Sequence, residues 1–269
     1  MEEYKSAVKV FWNEVSCGEE LYLKGLNEID AYNNQATIRY QLEPYILSFA
    51  NFKDSKYKKV LEIGVGLGAD HQQFAEAGAN LYGIDLTERA IENTKKRLYL
   101  FGLNSHLTVG DAELLDFEDN SFDIIYSWGV IHHSPNTQQA VKEIFRVLKP
   151  GGVAKIMIYH KYSIVGYMLW IRYAFLGLKP FTSLNDIYSK YLESPGTKAY
   201  TVKEARKLFI DFSSISFSTV LTHGDLLMSD VGQRHRGVFL TVAKKLFPRF
   251  LIKKMLPTHG LFMMIKAQK

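Results

Sequence analysis

The sequence predicts an α/β fold in which a mostly parallel sheet is flanked by helices. Three observations predict it. Between Lys58 and Tyr159 short apolar runs alternate with helical patterns, the arrangement that builds parallel strands through right-handed crossovers. The first run, Lys59–Ile63, ends in three alternating glycines, Gly64, Gly66 and Gly68, and a helical pattern follows at once. Glu62 precedes the first glycine and Asp85 ends the next run, so two carboxylates are expected at strand ends around one glycine loop, close to the crevice where open α/β sheets bind ligands.

Residues 1–55 read as a helical, aromatic-rich cover, with Phe11, Trp12, Tyr22, Tyr32, Tyr40 and Tyr45. Apolar residues at helical spacing run from Ala31 to Phe49, and Pro44 falls inside that pattern, where it starts or kinks a helix. This region is placed to cover the crevice; the plainer alternative is a helix packed on the sheet edge. Residues 56–160 form the core. Strands are expected at Lys59–Ile63, Asn80–Ile84, His106–Val109, Phe122–Ser127 and Val153–Tyr159, with helices at Ala69–Ala77, Glu88–Phe101 and Asn136–Leu148. Thr87 is a suitable helix cap with Glu88 in the first turn, and Lys149-Pro150-Gly151-Gly152 reads as a helix stop followed by a tight turn.

Residues 161–269 read as a substrate lid and C-terminal strands, and the whole chain as one domain without internal repeats. Ser163–Leu178 is strongly apolar and carries Arg172, yet falls short of the roughly 20 residues that cross a bilayer, so a buried or interfacial helix is expected. Thr201 and Glu204 mark another helix start, and strands are expected at Ile215–Leu221 and Leu261–Ala267. Between them lie Gly232–Gly237 (Gly-Gln-Arg-His-Arg-Gly) and a basic amphipathic run, Ala243–Leu256. Such a run suits a membrane surface or, more commonly, a solvated helix face.

The 269 residues, 47% hydrophobic and 23% charged, have the composition of a soluble globular protein. Cys17 is the single cysteine, which excludes an internal disulfide and a multi-cysteine metal cluster; no metal site is expected. Met1–Lys5 lacks the basic start and apolar run of a signal peptide, so a cytoplasmic setting is the simplest expectation. The net charge of +5 permits an anionic partner without requiring one.

The loop alone leaves its ligand open. Gly64, Gly66 and Ala69 satisfy the dinucleotide-binding fingerprint, and Asp85 stands where an acid would grip a ribose, so a NAD(P)-dependent oxidoreductase is one reading. Four further features tilt the balance: Glu62 before the loop; Gly110-Asp111-Ala112-Glu113 after the third strand; Phe122–Ser127 leading into Trp128-Gly129-Val130-Ile131-His132-His133; and Ile144–Gly152 (Ile-Phe-Arg-Val-Leu-Lys-Pro-Gly-Gly) leading into the fifth strand. In this order the set resembles the class I S-adenosylmethionine-dependent methyltransferases, in their methyltransferase-11 and ubiquinone-methyltransferase-like small-molecule branch. The resemblance covers roughly Val60 to Tyr159. It implies a Rossmann-like, seven-stranded sheet whose last strand is antiparallel, with Leu261–Ala267 as the candidate, and S-adenosyl-L-methionine as methyl donor. It implies that Glu62, Gly64, Gly66 and Gly68 line the methionine and ribose part of the donor. Asp85 would take the ribose hydroxyls, Leu86 would lie against the adenine, and Asp111, with Ala112 and Glu113 beside it, would accept the adenine amino group. Ser127 and Trp128 would face the sulfonium.

For the acceptor, His132 and His133 are the candidate proton-removing groups, the alternative being that one of them packs the turn before Ser134-Pro135. Tyr159 and His160, at the end of the fifth strand, are candidate acceptor contacts, and Arg39 and Tyr40 are placed to close over the donor carboxylate from the cover. Ser127-Trp128-Gly129-Val130 departs from the Asn/Asp-Pro-Pro-Tyr/Phe motif of enzymes that methylate nucleic-acid bases, so no nucleic acid is expected. A small organic acceptor methylated on oxygen, nitrogen or carbon remains, and the apolar Ser163–Leu178 segment points to a hydrophobic one. The same segment would suit peripheral membrane contact or a homodimer. A third reading is non-catalytic: a binding module of this fold at a membrane surface.

Overall fold

Strand β1 (Lys59–Ile63) lies at the middle of the sheet with four of its five side chains buried, which is why it reads as a continuous apolar run interrupted only by Glu62. The structure is a computed structural model and describes residues 2–14, 28–228 and 247–269. The expectations for Cys17, Tyr22, Gly232–Gly237 and residues 243–246 fall outside the described residues. On one side β1 pairs in parallel with β2 (Asn80–Asp85), and on the other with β4 (Phe122–Trp128). With β3 (His106–Val109), β5 (Leu148–Tyr159), β6 (Ser214–Val220) and β7 (Phe262–Gln268), the sheet runs in the order β3-β2-β1-β4-β5-β7-β6. Strand β7 is antiparallel to both of its neighbours, as the resemblance implied for the last strand. The chain reverses its direction of progress between β1 and β4, so a crevice opens at their C-terminal ends beside the glycine loop.

The intervening helices are α4 (Ala69–Glu76), α5 (Glu88–Leu100) and α6 (Thr137–Val147). Thr87 caps α5 by accepting the Ala90 N–H, and Thr201 and Glu204 form a reciprocal capping box at the start of α9 (Val202–Leu208). Helix α6 turns Ala140, Val141, Ile144 and Val147 onto Leu61, Ile125, Ile156 and Ile265 of the sheet, all within one apolar cluster. The N-terminal cover consists of α1 (Glu2–Glu14), α2 (Glu28–Leu42) and α3 (Tyr45–Ala50). The helical pattern from Ala31 to Phe49 is broken in two at Pro44, whose ring blocks the helical hydrogen bond there.

Two expectations need correction. The segment Lys149–Gly152 is not a free turn: β5 begins at Leu148, which pairs with Phe122, and the register shifts before Ile124 meets Val153. Gly151, at φ +77°, absorbs this bulge, a backbone conformation that side chains resist. The apolar stretch after β5 is not one buried helix either. It forms α7 (Ile164–Trp170) and a π-helical turn, Ile171–Phe175, with Ile164, Leu169 and Ala174 buried while Phe175, Leu176 and Leu178 stay exposed. Helix α8 (Leu184–Tyr191) packs beside α7 through Ile187.

Beneath the glycine loop, Glu62 and His71 form a buried pair, Oε2 to Nδ1 at 2.8 Å. The protons can be placed from the neighbours. Ser105 donates its hydroxyl to the Leu81 carbonyl, so it accepts from Nε2–H of His71 at 2.8 Å; with burial keeping the imidazole neutral, Nδ1 is left as a lone pair. Glu62 must then carry the proton that bridges to Nδ1. Burial supports both assignments: it pushes the His71 imidazole down to about 3 and raises the Glu62 carboxyl well above its ordinary value. Glu62, implied as a donor-lining carboxylate, is thus engaged with His71 as a neutral acid supporting the loop from below.

The pair predicts a specific pH dependence. Above the unfolded histidine value the folded pair holds one proton and the unfolded pair none, so its contribution falls as pH rises, by up to about 1.4 kcal/mol per pH unit. Below the unfolded glutamate value the unfolded pair binds a proton more than the folded one, and stability falls again toward acid. Glu62→Gln supplies the bridging N–H without a titrating proton. Urea unfolding should show it at least as stable as the parent at pH 8 with a flatter profile between pH 7 and 8, and losing stability below about pH 6.5, where unfolded His71 binds a proton that the folded imidazole does not; Glu62→Ala should lose about 1–3 kcal/mol.

Candidate active site

The loop after β1 turns because its glycines adopt conformations closed to side chains. Gly64 sits at φ +84°, and a Cβ there would overlap the Val130 side chain at 2.1 Å. Gly66, at φ +52°, has open space where a Cβ would point, so its backbone is approachable from the crevice. Asp85, at the tip of β2, faces this loop: Oδ2 accepts the Gly66 N–H at 3.2 Å, and Oδ1 accepts the Thr87 N–H at 3.0 Å and the Thr87 hydroxyl at 2.9 Å. Burial pushes its carboxyl up, and these donors together with the Leu86 N–H oppose the shift. Asp111 follows β3 and accepts the Glu113 N–H at 2.9 Å; Ala112, between them, rests against the main core.

Asp111 is met from above by Lys5 of α1, whose ammonium bridges to Glu113 at 2.9 Å. Glu113, implied as an adenine neighbour, holds the turn after β4 as well: it accepts the Ser134 hydroxyl and, at 2.7 Å, the Asn136 N–H at the start of α6, where the helix dipole favours a carboxylate.

Asp70, in the first turn of α4, is a site residue that the sequence reading passed over. It is 4% exposed, yet accepts from Arg39 Nε at 3.1 Å and a terminal guanidinium nitrogen at 2.7 Å, from the Tyr40 hydroxyl at 2.9 Å and from the Tyr126 hydroxyl at 2.8 Å. Burial alone would raise this carboxyl; the Arg39 charge and the three side-chain donors outweigh it and hold it below its ordinary value. Arg39 and Tyr40, expected over the donor carboxylate, are engaged here instead. The available signal was an acid two residues after the third glycine, at a helix N-terminus. Nearby, Glu43 is lifted to about 7, chiefly by burial, although Arg39 lies 3.4 Å away and Trp128 hydrogen-bonds to it.

At the end of β4, Ser127 is fully buried and donates to the Ile63 carbonyl at 3.0 Å, tying the two central strands together instead of facing the crevice. Trp128 stands in an aromatic box, stacked on Tyr45 and Tyr126 and edge-on to Phe49 and Phe262. Beyond it the chain turns through His132 and His133, whose ring centroids lie 4.2 Å apart, with Tyr159 at 4.0 Å from His132. His133 Nδ1 meets the Ser194 hydroxyl at 2.8 Å and the Thr197 hydroxyl at 3.1 Å, and Nε2 lies 3.4 Å from Glu193. Tyr159 donates to Glu193 at 2.6 Å. Buried His132 has neither ring nitrogen partnered, and burial drives it well below the ordinary histidine value, so it is neutral. From α1, Trp12 packs edge-on against His133 at 5.4 Å.

Sequence reasoning missed Glu193, Ser194 and Thr197 because they lie far along the chain in the lid. One ligand atom from each of His132, His133 and Glu193 falls within 4.8 Å of the others, a donor set that suits a divalent transition metal and that no local motif announced. His160 does not join this cluster: consecutive strand residues point to opposite faces, and its Nδ1 lies 3.3 Å from the Gly260 carbonyl.

The site's residues fit S-adenosylmethionine. The loop offers approachable backbone at Gly66, Asp85 and Asp111 stand at neighbouring strand tips, and the aromatic faces beyond β4 suit a cationic sulfur. Residues 61–156 match the family model described as a methyltransferase domain. Over 118 residues the chain is 36% identical to phosphoethanolamine N-methyltransferase 2 of Caenorhabditis elegans, covering 43% of this chain and 26% of that one. Over 162 residues it is 31% identical to a sterol 24-C-methyltransferase of Yarrowia lipolytica, covering 57% and 41%. The chain thus spans about a quarter to two fifths of the length of these relatives. A solved SAM-dependent methyltransferase from Methanosarcina mazei shares the fold at a TM-score of 0.53 with 20% identity, covering 80% of this chain and 93% of that one. None of these findings supports the nicotinamide reading. Residues 61–156 thus match a methyltransferase domain, and the chain shares its fold with S-adenosylmethionine-dependent methyltransferases.

Proposed function

We propose that this chain transfers a methyl group from S-adenosylmethionine to a small hydrophobic acceptor, on oxygen, nitrogen or carbon. The observation that carries the reading is Asp85 at the tip of β2, across the open backbone of Gly66. Asp85 would hold the ribose hydroxyls, Leu86 would lie against the adenine and Asp111 would take its amino group. When bound, the donor supplies a methyl carbon on a cationic sulfur. The protein's contribution is then to align the acceptor, exclude water and receive a proton.

His132 is the group best placed for the proton. It is neutral, both ring nitrogens are unpartnered, and it lies against Tyr159 at the acceptor end of the crevice. A weak base suffices, because an oxygen or nitrogen becomes more acidic as its new bond to carbon forms. His133, oriented by Ser194 and Thr197 with Glu193 beside it, would position the ring next to it and keep an acceptor hydroxyl in register. A hydrophobic acceptor is supported by Val165 of α7 and Leu184 and Tyr188 of α8, which cluster with Tyr159, and by the sterol methyltransferases among the relatives. The single cysteine supports a cytoplasmic setting, and the Ser127–Val130 sequence supports a partner other than nucleic acid.

Three measurements test this. Incubation with labelled donor and a lipid-containing metabolite extract should yield a product heavier by one methylene unit; stabilisation by NAD and not by S-adenosylhomocysteine would overturn the reading. Asp85→Ala should weaken S-adenosylhomocysteine binding by about 1–3 kcal/mol in calorimetry, and unchanged affinity would mean the ribose lies elsewhere. His132→Gln should lower kcat by about 10²–10⁴-fold with donor affinity intact. Because the neutral ring is the active form and its pKa is depressed, the parent's kcat should stay flat from pH 8 down through the ordinary histidine range and fall only at lower pH.

A further inference from the structure

We propose that the outer surface of the lid, formed by the turn from Ile171 to Phe181 together with α10 (Arg249–Met255), docks on an anionic lipid bilayer. No helix among the described residues is long and apolar enough to cross a membrane, so the contact would be peripheral. The proposal goes beyond methyl transfer and stands without it.

The turn presents large apolar side chains outward. Phe175 and Leu176 are mostly exposed, Leu178 is 90% exposed and Phe181 fully so. This is not a loose loop. Leu176 N–H donates to the Ile171 carbonyl, Leu178 N–H to Phe175, Lys179 N–H to Ala174 and Thr182 N–H to Lys179. Trp170 clamps it by donating Nε1–H to the Thr182 carbonyl at 2.9 Å and stacks on Phe175. Leu178 itself sits at φ +56°, a conformation that disfavours a branched side chain, so backbone strain is maintained at a residue that packs on almost nothing.

Helix α10 repeats the pattern. Ile252 turns inward, and with Phe247 and Leu256 it packs on Ile164, Tyr167 and Met168 around α7; Phe250, Leu251 and Met255 face outward. The turn and α10 are therefore carried by the same helix, α7. The charge selects the occupant. Arg172, Lys179, Lys253 and Lys254 are exposed among these apolar residues, and neither 164–182 nor 247–256 contains an acid. A second copy seated on this face would bring like charges together, whereas an anionic headgroup layer complements them while its acyl region receives Phe175, Leu178 and Phe181.

The test is co-sedimentation of the full chain, without donor or acceptor, with vesicles of equal parts phosphatidylcholine and phosphatidylglycerol and with vesicles of phosphatidylcholine alone. Binding to the mixed vesicles, weakened by salt and much weaker on the neutral ones, is expected. Leu178→Ser with Phe181→Ser removes two side chains that support no packing and should reduce binding about tenfold or more. Lys253→Glu with Lys254→Glu should remove the preference for anionic lipid. Thermal stabilisation by S-adenosylhomocysteine should be the same in parent and variants, showing an intact fold. A parent that stays in the supernatant at low salt, or a double-serine variant that binds as the parent does, would overturn the proposal. So would a dimer in sedimentation velocity that the serine substitutions dissolve, which would assign the face to a second copy.

Discussion

The Asp70 carboxylate is the constraint on which the site depends. It stands in the first turn of α4, just after the glycine loop, and receives Arg39 and Tyr40 from α2 and Tyr126 from β4. One buried anion thus ties together the cover, the loop and the central sheet. Taking an aspartate and an arginine out of water is expensive, and the exchange holds only because both carboxylate oxygens are hydrogen-bonded and the guanidinium is bidentate. Arg97 reinforces the same junction from the other side. Buried and lowered to about 10 by that burial, it donates to the Leu67 carbonyl in the loop, to the Tyr32 carbonyl and the Gln35 amide oxygen in α2, and to Gln72 in α4. The loop's shape is therefore fixed by side chains outside it as much as by its glycines.

Around this junction ionisation is sorted by position. Asp70 is kept charged by Arg39, while Glu62, close by, is kept neutral by burial and by a histidine that cannot accept a charge there. The two carboxyls raise each other's cost of ionising, so placing the positive charge on one of them decides the state of both. At the far end of the crevice burial likewise leaves His132 neutral, and His133 and Lys198 push it in the same direction.

The sheet was legible because its signals are local. The expected strand boundaries at Lys59–Ile63 and His106–Val109 match the structure, and the others differ at their ends, most of all β5, where Gly151 lets pairing extend through what reads as a turn. Asp85 and Asp111 were legible for the same reason, each ending or following a strand. What stayed hidden depends on distant pairing. Glu62 looks like a ligand contact until His71, one helical turn into α4, is found to occupy it. Arg39 looks free to reach a ligand until Asp70 claims it. Glu193, Ser194 and Thr197 carry no motif and acquire meaning only because α8 delivers the following loop onto His133. Ser163–Leu178 misled for a subtler reason: its uniform apolarity hides a change of surroundings at Trp170, inward-facing before it and largely outward-facing after it.

Helix α1 links the two ends of the crevice. Lys5 holds Asp111 and Glu113 at the tip of β3, Lys9 holds Glu88 at the start of α5, Tyr4 donates to the Pro195 carbonyl in the lid at 2.7 Å, and Trp12 packs on His133. Each contact alone is weak, since pairs this exposed contribute little against the entropy of ordering long side chains. Together they make α1 a single span resting on the tip of β3 and on the turn at His133 at once. A ligand amino group that meets Asp111 has to share that carboxylate with Lys5, and any change in Lys5 is felt through one rigid helix at Pro195 and His133. The geometry ties the tip of β3 to the lid and to His133 through one helix, without a residue that touches both.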